Sequence, residues 1–554
     1  MKKFKSLLAL TLSAALVAGC SSSGTGSGTS SAATAGTDAA AKNVLYVATD
    51  TDLSTMDHHI ATDGTSFVAQ SLTFSGLTQL NENNEPEPDA ADSWEISDDG
   101  LVYTFHLNKD DVWSNGTAVT AADFVYGWQR LANLDTASEY AFITQTIHLA
   151  NADEIAAGTK DVTELGVKAV DDYTLEVTLT MPCDFLLGLM AFPSFFPLNK
   201  EFYEAQGDQY SLTPDNLISN GPYVMASWTP GNSYTFTKNP TYFRAAEDAD
   251  TVDEVDFKFV QDAQSAMLEY ESNGLDVVKL TGEMVDAYKG QEGYTSRLTG
   301  YLWYLSINFT RDQFTNDNLR KAISVAIDRE TICNNVLKDG SIAAGGIIPS
   351  QLATGPDGKD YRETNGTLTS YDPAAAAEYY AKAVEELGSD VTFELLYEDT
   401  EASKNVAEYI QNNLETNCPG LTVTLNSKPK KTRLELMKTQ DYDIGLTRWG
   451  PDYADPQTYF DLFISTNEDN NSGRYNSATY DATVLEATTG DAATDSSARW
   501  NLLLEAEKTL VVDDVGVVPV YQNGGAFMIK TNVTGIEFHS AGVDSYRHVV
   551  KAAE

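Results

Sequence analysis

The sequence predicts an α/β protein of several domains, and three observations carry that expectation. Between Val391 and Ser427 a strand pattern, a helix pattern and a second strand pattern follow one another, the order of an α/β unit. Between Ser93 and Leu107 apolar residues alternate with polar ones on either side of an Asp-Gly turn, which marks a β-hairpin. The chain has 554 residues, 42% of them hydrophobic, which is enough for about three cores at roughly 150 residues per domain.

The elements follow in order. VLYVATD, just after Asn43, is a short strand. SWEIS, the Asp98-Asp99-Gly100 turn and LVYTFHL make the hairpin, with Leu101, Tyr103, Phe105 and Leu107 alternating with Val102, Thr104 and His106. YTLEVTL places Tyr173, Leu175, Val177 and Leu179 on one strand face. In DNLRKAISVAIDRE, Leu319, Ala322, Ile323, Ala326 and Ile327 recur at helical spacing. Asp372 and Pro373 open a helix over AAAAEYYAKAVEEL and Gly388 stops it. VTFELLYED, ASKNVAEYIQNNLE and LTVTLNS then read strand, helix, strand. No repeat of fixed period is present.

The amino terminus predicts export. Lys2, Lys3 and Lys5 precede an apolar run from Leu7 to Ala18 that is short for a membrane span, and small residues follow it. The run closes on LVAGC, which resembles the lipobox of bacterial lipoproteins and implies cleavage after residue 19 and acylation of Cys20. Acyl chains there hold a protein to a membrane without a transmembrane helix. The Ser-, Gly-, Thr- and Ala-rich stretch up to residue 42 predicts a flexible tether. The formal net charge of −45 repels nucleic acid phosphates, so no nucleic acid partner is expected. Past Cys20 only Cys183, Cys333 and Cys418 remain, too few for a disulfide framework, although one pair could bond.

Longer blocks sharpen this. SWEISDDGLVYTFHLNKDDVWSNGTAVTAADFVYGWQRL (Ser93–Leu131) resembles the signature region of the oligopeptide-binding proteins of ABC importers, a solute-binding family with dipeptide-, nickel- and haem-binding members. SNGPYVMASWTPGNSYTFTKNPTYF, YLSINFTRDQFTNDNLRKAISVAIDR and RWGPDYADPQTYF resemble later blocks of the same family, in its order. The resemblance implies a periplasmic-binding-protein-like clamp of two α/β lobes with an additional inserted α+β domain. It places domain I at 43–83, 208–304 and 515–554, domain II at 84–207 and domain III at 305–514. It implies peptides as ligands, ABC permease subunits as partners, a monomer, no cofactor and no enzymatic activity.

A site that holds many peptide sequences must bind what they share, the backbone and the charged termini. By the resemblance, Asp452 in RWGPDYADP stands where the family pairs the peptide amine. Trp449 and Tyr453 flank it with aromatic faces suited to a peptide. Tyr140, in TASEY, matches a contact residue of domain II, and Gly64, in the expected loop TDGTS, matches a backbone-pairing position of domain I. Asn308 falls on the first strand of domain III beside the expected cleft, where a strand-end hydrogen bond suits it.

Departures from the family matter too. Ser324, Met437 and Leu446 stand where relatives can use basic side chains for a peptide carboxylate, so the carboxyl end is expected to be unfixed. Arg448, Lys430 or Lys431 are the basic residues able to substitute from shifted places. Gly450 and a Tyr-rich strand replace the cysteines of the family's cleft-side disulfide. Two other readings are weaker. A nickel or haem ligand would have His58 and His59 near Gly64, but adjacent imidazoles alone chelate poorly. A hydrolase would need a motif such as G-x-S-x-G or H-E-x-x-H, and neither occurs. A peptide-pheromone receptor would reuse the same clamp.

Overall fold

The computed structural model describes residues 42–468 and 470–553, and the fold below belongs to the unit that begins at Asn43. Cys20, the export signal and the expected tether up to residue 41 lie outside the described residues.

Among the described residues the largest sheet has eleven strands. One half is Thr422–Lys428, Thr392–Glu398 and Ile444–Trp449, side by side, leading to the long strand Tyr294–Ile307. The other half runs from Val517–Ile529 through Val277–Leu280, Val44–Thr49, Glu254–Phe259 and Ser233–Lys238 to Tyr223–Thr229. The boundary expected at 304/305 therefore falls inside Tyr294–Ile307, which pairs antiparallel with both Ile444–Trp449 and Val517–Ile529. A separate antiparallel sheet of four strands holds Ala91–Ile96, Val102–Leu107, Thr174–Thr178 and Val167–Asp171. No strand of the large sheet comes from the chain between Thr49 and Tyr223.

The chain leaves the large sheet and returns to it at one place. Gly221 N–H donates to Thr73 C=O at 2.9 Å. Asn220 Oδ1 accepts from Ser75 N–H at 3.0 Å, and its Nδ2 donates to Ser75 C=O at 3.3 Å. A Cβ on Gly221 would lie 2.7 Å from Thr73 C, so this approach of two backbones needs a glycine.

The hairpin forms as expected, with Trp94 opposite Phe105 and Gly100 in the left-handed region at φ 70°. Phe105, Leu175 and Val177 are fully buried. Thr392–Glu398 pairs in parallel with Thr422–Lys428 across the helix Glu401–Asn417, which is the α/β unit read from the sequence. The helix Pro373–Leu387 starts on the Asp372 carboxylate, which accepts from Ala375 N–H, and stops at Gly388 with φ 78°.

The helix Asp317–Val325 is shorter than its apolar spacing implies. Ala326 and Ile327 are buried as expected but lie past its end. Arg329 explains the stop: its guanidinium donates to the carbonyls of Ser324 and Ile327 at 3.1 and 3.2 Å, satisfying groups that a longer helix would have used. Cys183, Cys333 and Cys418 are all buried and unpaired.

Buried ion pairs tie distant segments together. Arg547 donates to both carboxylate oxygens of fully buried Asp89, at 2.8 and 3.2 Å, and also to Ser75 Oγ and Tyr242 Oη. Arg130 reaches Asp57 with both terminal nitrogens, at 2.7 and 2.6 Å. Next to Asp57, His58 and His59 are fully buried with ring centroids 4.2 Å apart, and His58 lies against Phe74.

Two outcomes follow. Replacing Asp89 by Ala leaves the Arg547 charge buried and alone, and should cost about 3–5 kcal/mol, seen as an earlier thermal transition. Burial pushes the His58 imidazole down to about 4, and His59 lower than its ordinary range. Both rings hold fewer protons folded than unfolded, so stability should fall as pH drops from 6.5 towards 4. Denaturant midpoints between pH 7 and 4.5 should fall less in a His58→Gln variant, and an unchanged difference would exclude His58 as a source.

Candidate functional site

In open α/β sheets ligands collect outside the carboxyl ends of parallel strands. Here those ends are Glu398, Lys428 and Trp449, the last residues of three neighbouring strands. The loop beyond Trp449 carries Asp452. Gly450 lets this loop close onto the facing strand, because a Cβ there would lie 2.3 Å from the Tyr301 ring.

Asp452 is only partly exposed and lines a cavity together with Tyr453, Ala454, Phe192, Phe196 and His539. Among the described residues its hydrogen-bond donor is the Tyr140 hydroxyl, 3.1 Å from Oδ1. Among the described residues no basic side chain pairs with it. Desolvation pushes its acid up to about 7, and the Tyr140 hydroxyl only partly offsets this. Three residues on, Asp455 shows the ordinary solution: Arg499 donates to both its oxygens at 2.8 Å. Asp461 is also pushed up to about 7, but it accepts from Gln457 and the Arg499 charge works against the rise.

The Tyr140 ring is fixed by aromatic neighbours. Phe67 meets it edge-on at 5.5 Å, Phe192 stacks at 5.5 Å and Phe142 tilts at 5.6 Å. Burial, then the Asp452 charge, drives its phenol well above the ordinary range, so Tyr140 stays a donor to the carboxylate. Tyr453 is buried and stacks on Phe185, with centroids 4.2 Å apart and planes at 12°. The group thus unites residues from distant stretches of sequence: Phe67, Tyr140, Phe185, Phe192 and the 449–453 loop.

The expected site residues divide. Asp452, Tyr453 and Tyr140 come together. Trp449 is partly buried against apolar packing and donates its indole N–H to Thr458 Oγ1 at 3.3 Å, a structural position at the edge of the group. Gly64 is exposed, with open space around it, and is the first residue of the helix Gly64–Thr73, not part of a loop; Asp63 caps that helix through Ser66 N–H. Asn308 is fully buried, and its amide spans Gln440 C=O, Tyr442 C=O and Thr310. That accounts for both ends of the amide, so Asn308 stabilises the strand end, as a strand-end hydrogen bond requires, and does not join Asp452. Phe67, Phe185, Phe192 and Tyr301 were not singled out from the sequence, because single aromatics in apolar runs look like core. Among the described residues no group of three or more His, Cys, Asp or Glu is placed to hold a metal ion.

The model of the bacterial extracellular solute-binding proteins, family 5 Middle, matches residues 85–471. The chain is 31% identical over 538 residues to the periplasmic oligopeptide-binding protein OppA of Salmonella typhimurium, covering 96% of this chain and 95% of that one. Among solved structures, the substrate-binding domain of an oligopeptide ABC transporter from Bacillus anthracis superposes with a TM-score of 0.83 at 38% identity, covering 93% of this chain and 99% of that one. Listeria monocytogenes OppA bound to peptide gives 0.82 at 33%, covering 93% and 100%. Matches over nearly the whole chain, on a mixed α/β fold of this kind, leave one assignment: the protein belongs to family 5 of the bacterial extracellular solute-binding proteins.

Proposed function

We propose that this protein captures peptides outside the cytoplasm, holds them by the α-amine on Asp452, and delivers them to an ABC importer permease. The observation that carries the reading is the Asp452 carboxylate, set at a cavity with a hydroxyl donor and, among the described residues, no cation paired to it, since the Arg547 that also lines the cavity is taken by Asp89. A carboxylate in that position is costly until a cation docks, and a peptide ammonium is one. Tyr140 and Tyr453 supply walls on which a backbone can lie. The relatives named for oligopeptides, at full-length coverage, support the same ligand class.

Cys20 in LVAGC supports attachment to the outer face of the cell membrane through lipid, with the stretch after it as tether. The three-domain division at 43–83, 208–304 and 515–554, then 84–207, then 305–514, fits a clamp in which Tyr140 and Asp452 belong to different domains. Binding without chemistry, by a monomer and without cofactor, is the role we assign.

The reading has two consequences for affinity, both measurable by calorimetry. Asp452→Asn should weaken free-amine peptides at least tenfold while leaving their N-acetylated forms unchanged; equal affinity for free-amine peptides would exclude the amine anchor. In this geometry Asp452 holds a proton below about pH 7 and must lose it before pairing with an ammonium. Affinity should therefore fall by up to about tenfold per pH unit below 7, with proton release on binding at pH 6. Asp452→Asn should abolish both the slope and the release.

A further inference from the structure

The loop 450–456 runs between two apolar cores. Trp449, just before it, packs against the core that holds Tyr304, Tyr459 and Phe460. Tyr453, four residues later, is 5% exposed and belongs to a different core, with Leu186, Leu189 and Phe192. On the division proposed above, the loop starts from the domain at 305–514, and those three partners lie in the domain at 84–207.

The loop is rooted at both ends. At its start Gly450 lies against the Tyr301 ring, and Pro451 C=O accepts from Gly542 N–H at 3.2 Å. At its end the Asp455 carboxylate is held by Arg499, from the helix Ser496–Lys508. Between these roots the tip reaches across: Asp452 to the Tyr140 hydroxyl and Tyr453 to the Phe185 ring.

The two tip contacts have opposite sign. Asp452 gives up hydration for one phenol, which is unfavourable while its charge is unpaired. Tyr453 gains by its burial, because parting its ring from Phe185 would return apolar surface to water. The rings lie 12° from parallel with centroids 4.2 Å apart, and such a pair adds to the effect of area alone. Charge favours the same contact. Burial works against the Arg499 cation, while Asp455 and then Asp184, the residue before Phe185, work for it. All of these groups belong to the protein, so the contact that joins the two domains needs nothing from a ligand.

We infer that Phe185 is a positioning residue: its stack on Tyr453 latches the 450–456 loop to the domain at 84–207, holds the two domains together before a peptide arrives, and keeps Asp452 set against the Tyr140 hydroxyl. The stack offsets the cost of setting an unpaired carboxylate there, and a peptide meets an anchor already in place. What the latch does for a ligand rests on the peptide-binding reading above; the latch itself rests on the domain division alone.

The test reads the distance between the two domains. Spin labels would be attached through Lys168→Cys and Lys382→Cys, both at exposed positions, while Cys183, Cys333 and Cys418 are buried. Wild type without peptide should show mainly the distance that it shows with saturating tetra-alanine. Phe185→Ala should move most of the peptide-free molecules to a second distance. Tyr453→Ala should do the same and the double variant no more, because each removes the same contact. Phe185→Tyr, which keeps a ring, should match wild type. Circular dichroism checks that each variant is folded, and Phe185→Leu, apolar but without the ring, takes the place of Phe185→Ala if that variant is not.

Calorimetry adds readouts that a merely structural residue would not move. Affinity for tetra-alanine should fall about fivefold or more in Phe185→Ala, as the binding-ready fraction falls. Its loss of affinity on acidification should begin at lower pH than in wild type, because a released Asp452 regains water and escapes the desolvation that pushes its acid up. Peptide-free distances in folded Phe185→Ala equal to those of wild type would overturn the latch. A wild type whose main distance changes when tetra-alanine is added would overturn it too. If tetra-alanine does not bind wild type, the peptide-binding reading fails, while the peptide-free distances still decide the latch.

Discussion

Everything at the cleft turns on a carboxylate that the protein declines to neutralise. Asp455 has Arg499 and Asp89 has Arg547, both in close two-point contacts. Asp452, in the same loop as Asp455, has among the described residues only a phenol. A chain able to place a guanidinium three residues away could have placed one here, and stability alone would favour it. On the proposed function, leaving the charge open raises the gain available to a cation from outside, and ligand capture and closure would draw on one interaction.

The aromatic residues make that arrangement specific in space. Tyr140 aims its hydroxyl only because Phe67, Phe142 and Phe192 hold the ring. Tyr453 is held by Phe185 in the same way. None of these contacts depends on the identity of a ligand side chain. A wall of this type suits binding that must tolerate variety along a peptide while fixing its start, and hydration can complete what varies.

Much of the fold was legible because its signals are local. The Asp-Gly hairpin, the Asp372-Pro373 start and the Gly388 stop each declare themselves within a few residues. Asp452 was legible only through likeness to a family, since one Asp among 81 acidic residues carries no mark of its own. What could not be read was long-range. Tyr140 meets Asp452 across 312 positions. Helix Asp317–Val325 ends early because a side chain beyond it takes its carbonyls, a competition that apolar spacing does not encode. Gly64 is where a local reading misplaced an element: the stretch read as a loop starts a helix, because the Asp63 carboxylate accepts from Ser66 N–H.

The paired crossing at Thr73–Ser75 and Asn220–Gly221 bears on how such a molecule could have been assembled. The intervening chain contributes nothing to the eleven-stranded sheet, and its two ends are stapled side by side. A segment with adjacent ends can be gained, lost or exchanged with little disturbance to its host. Tyr140 comes from that segment and Asp452 from the host. Divergence of the inserted piece would therefore retune one jaw of the cleft while the carboxylate on the other stayed in place, a route to new ligand ranges that leaves the scaffold's strand order untouched.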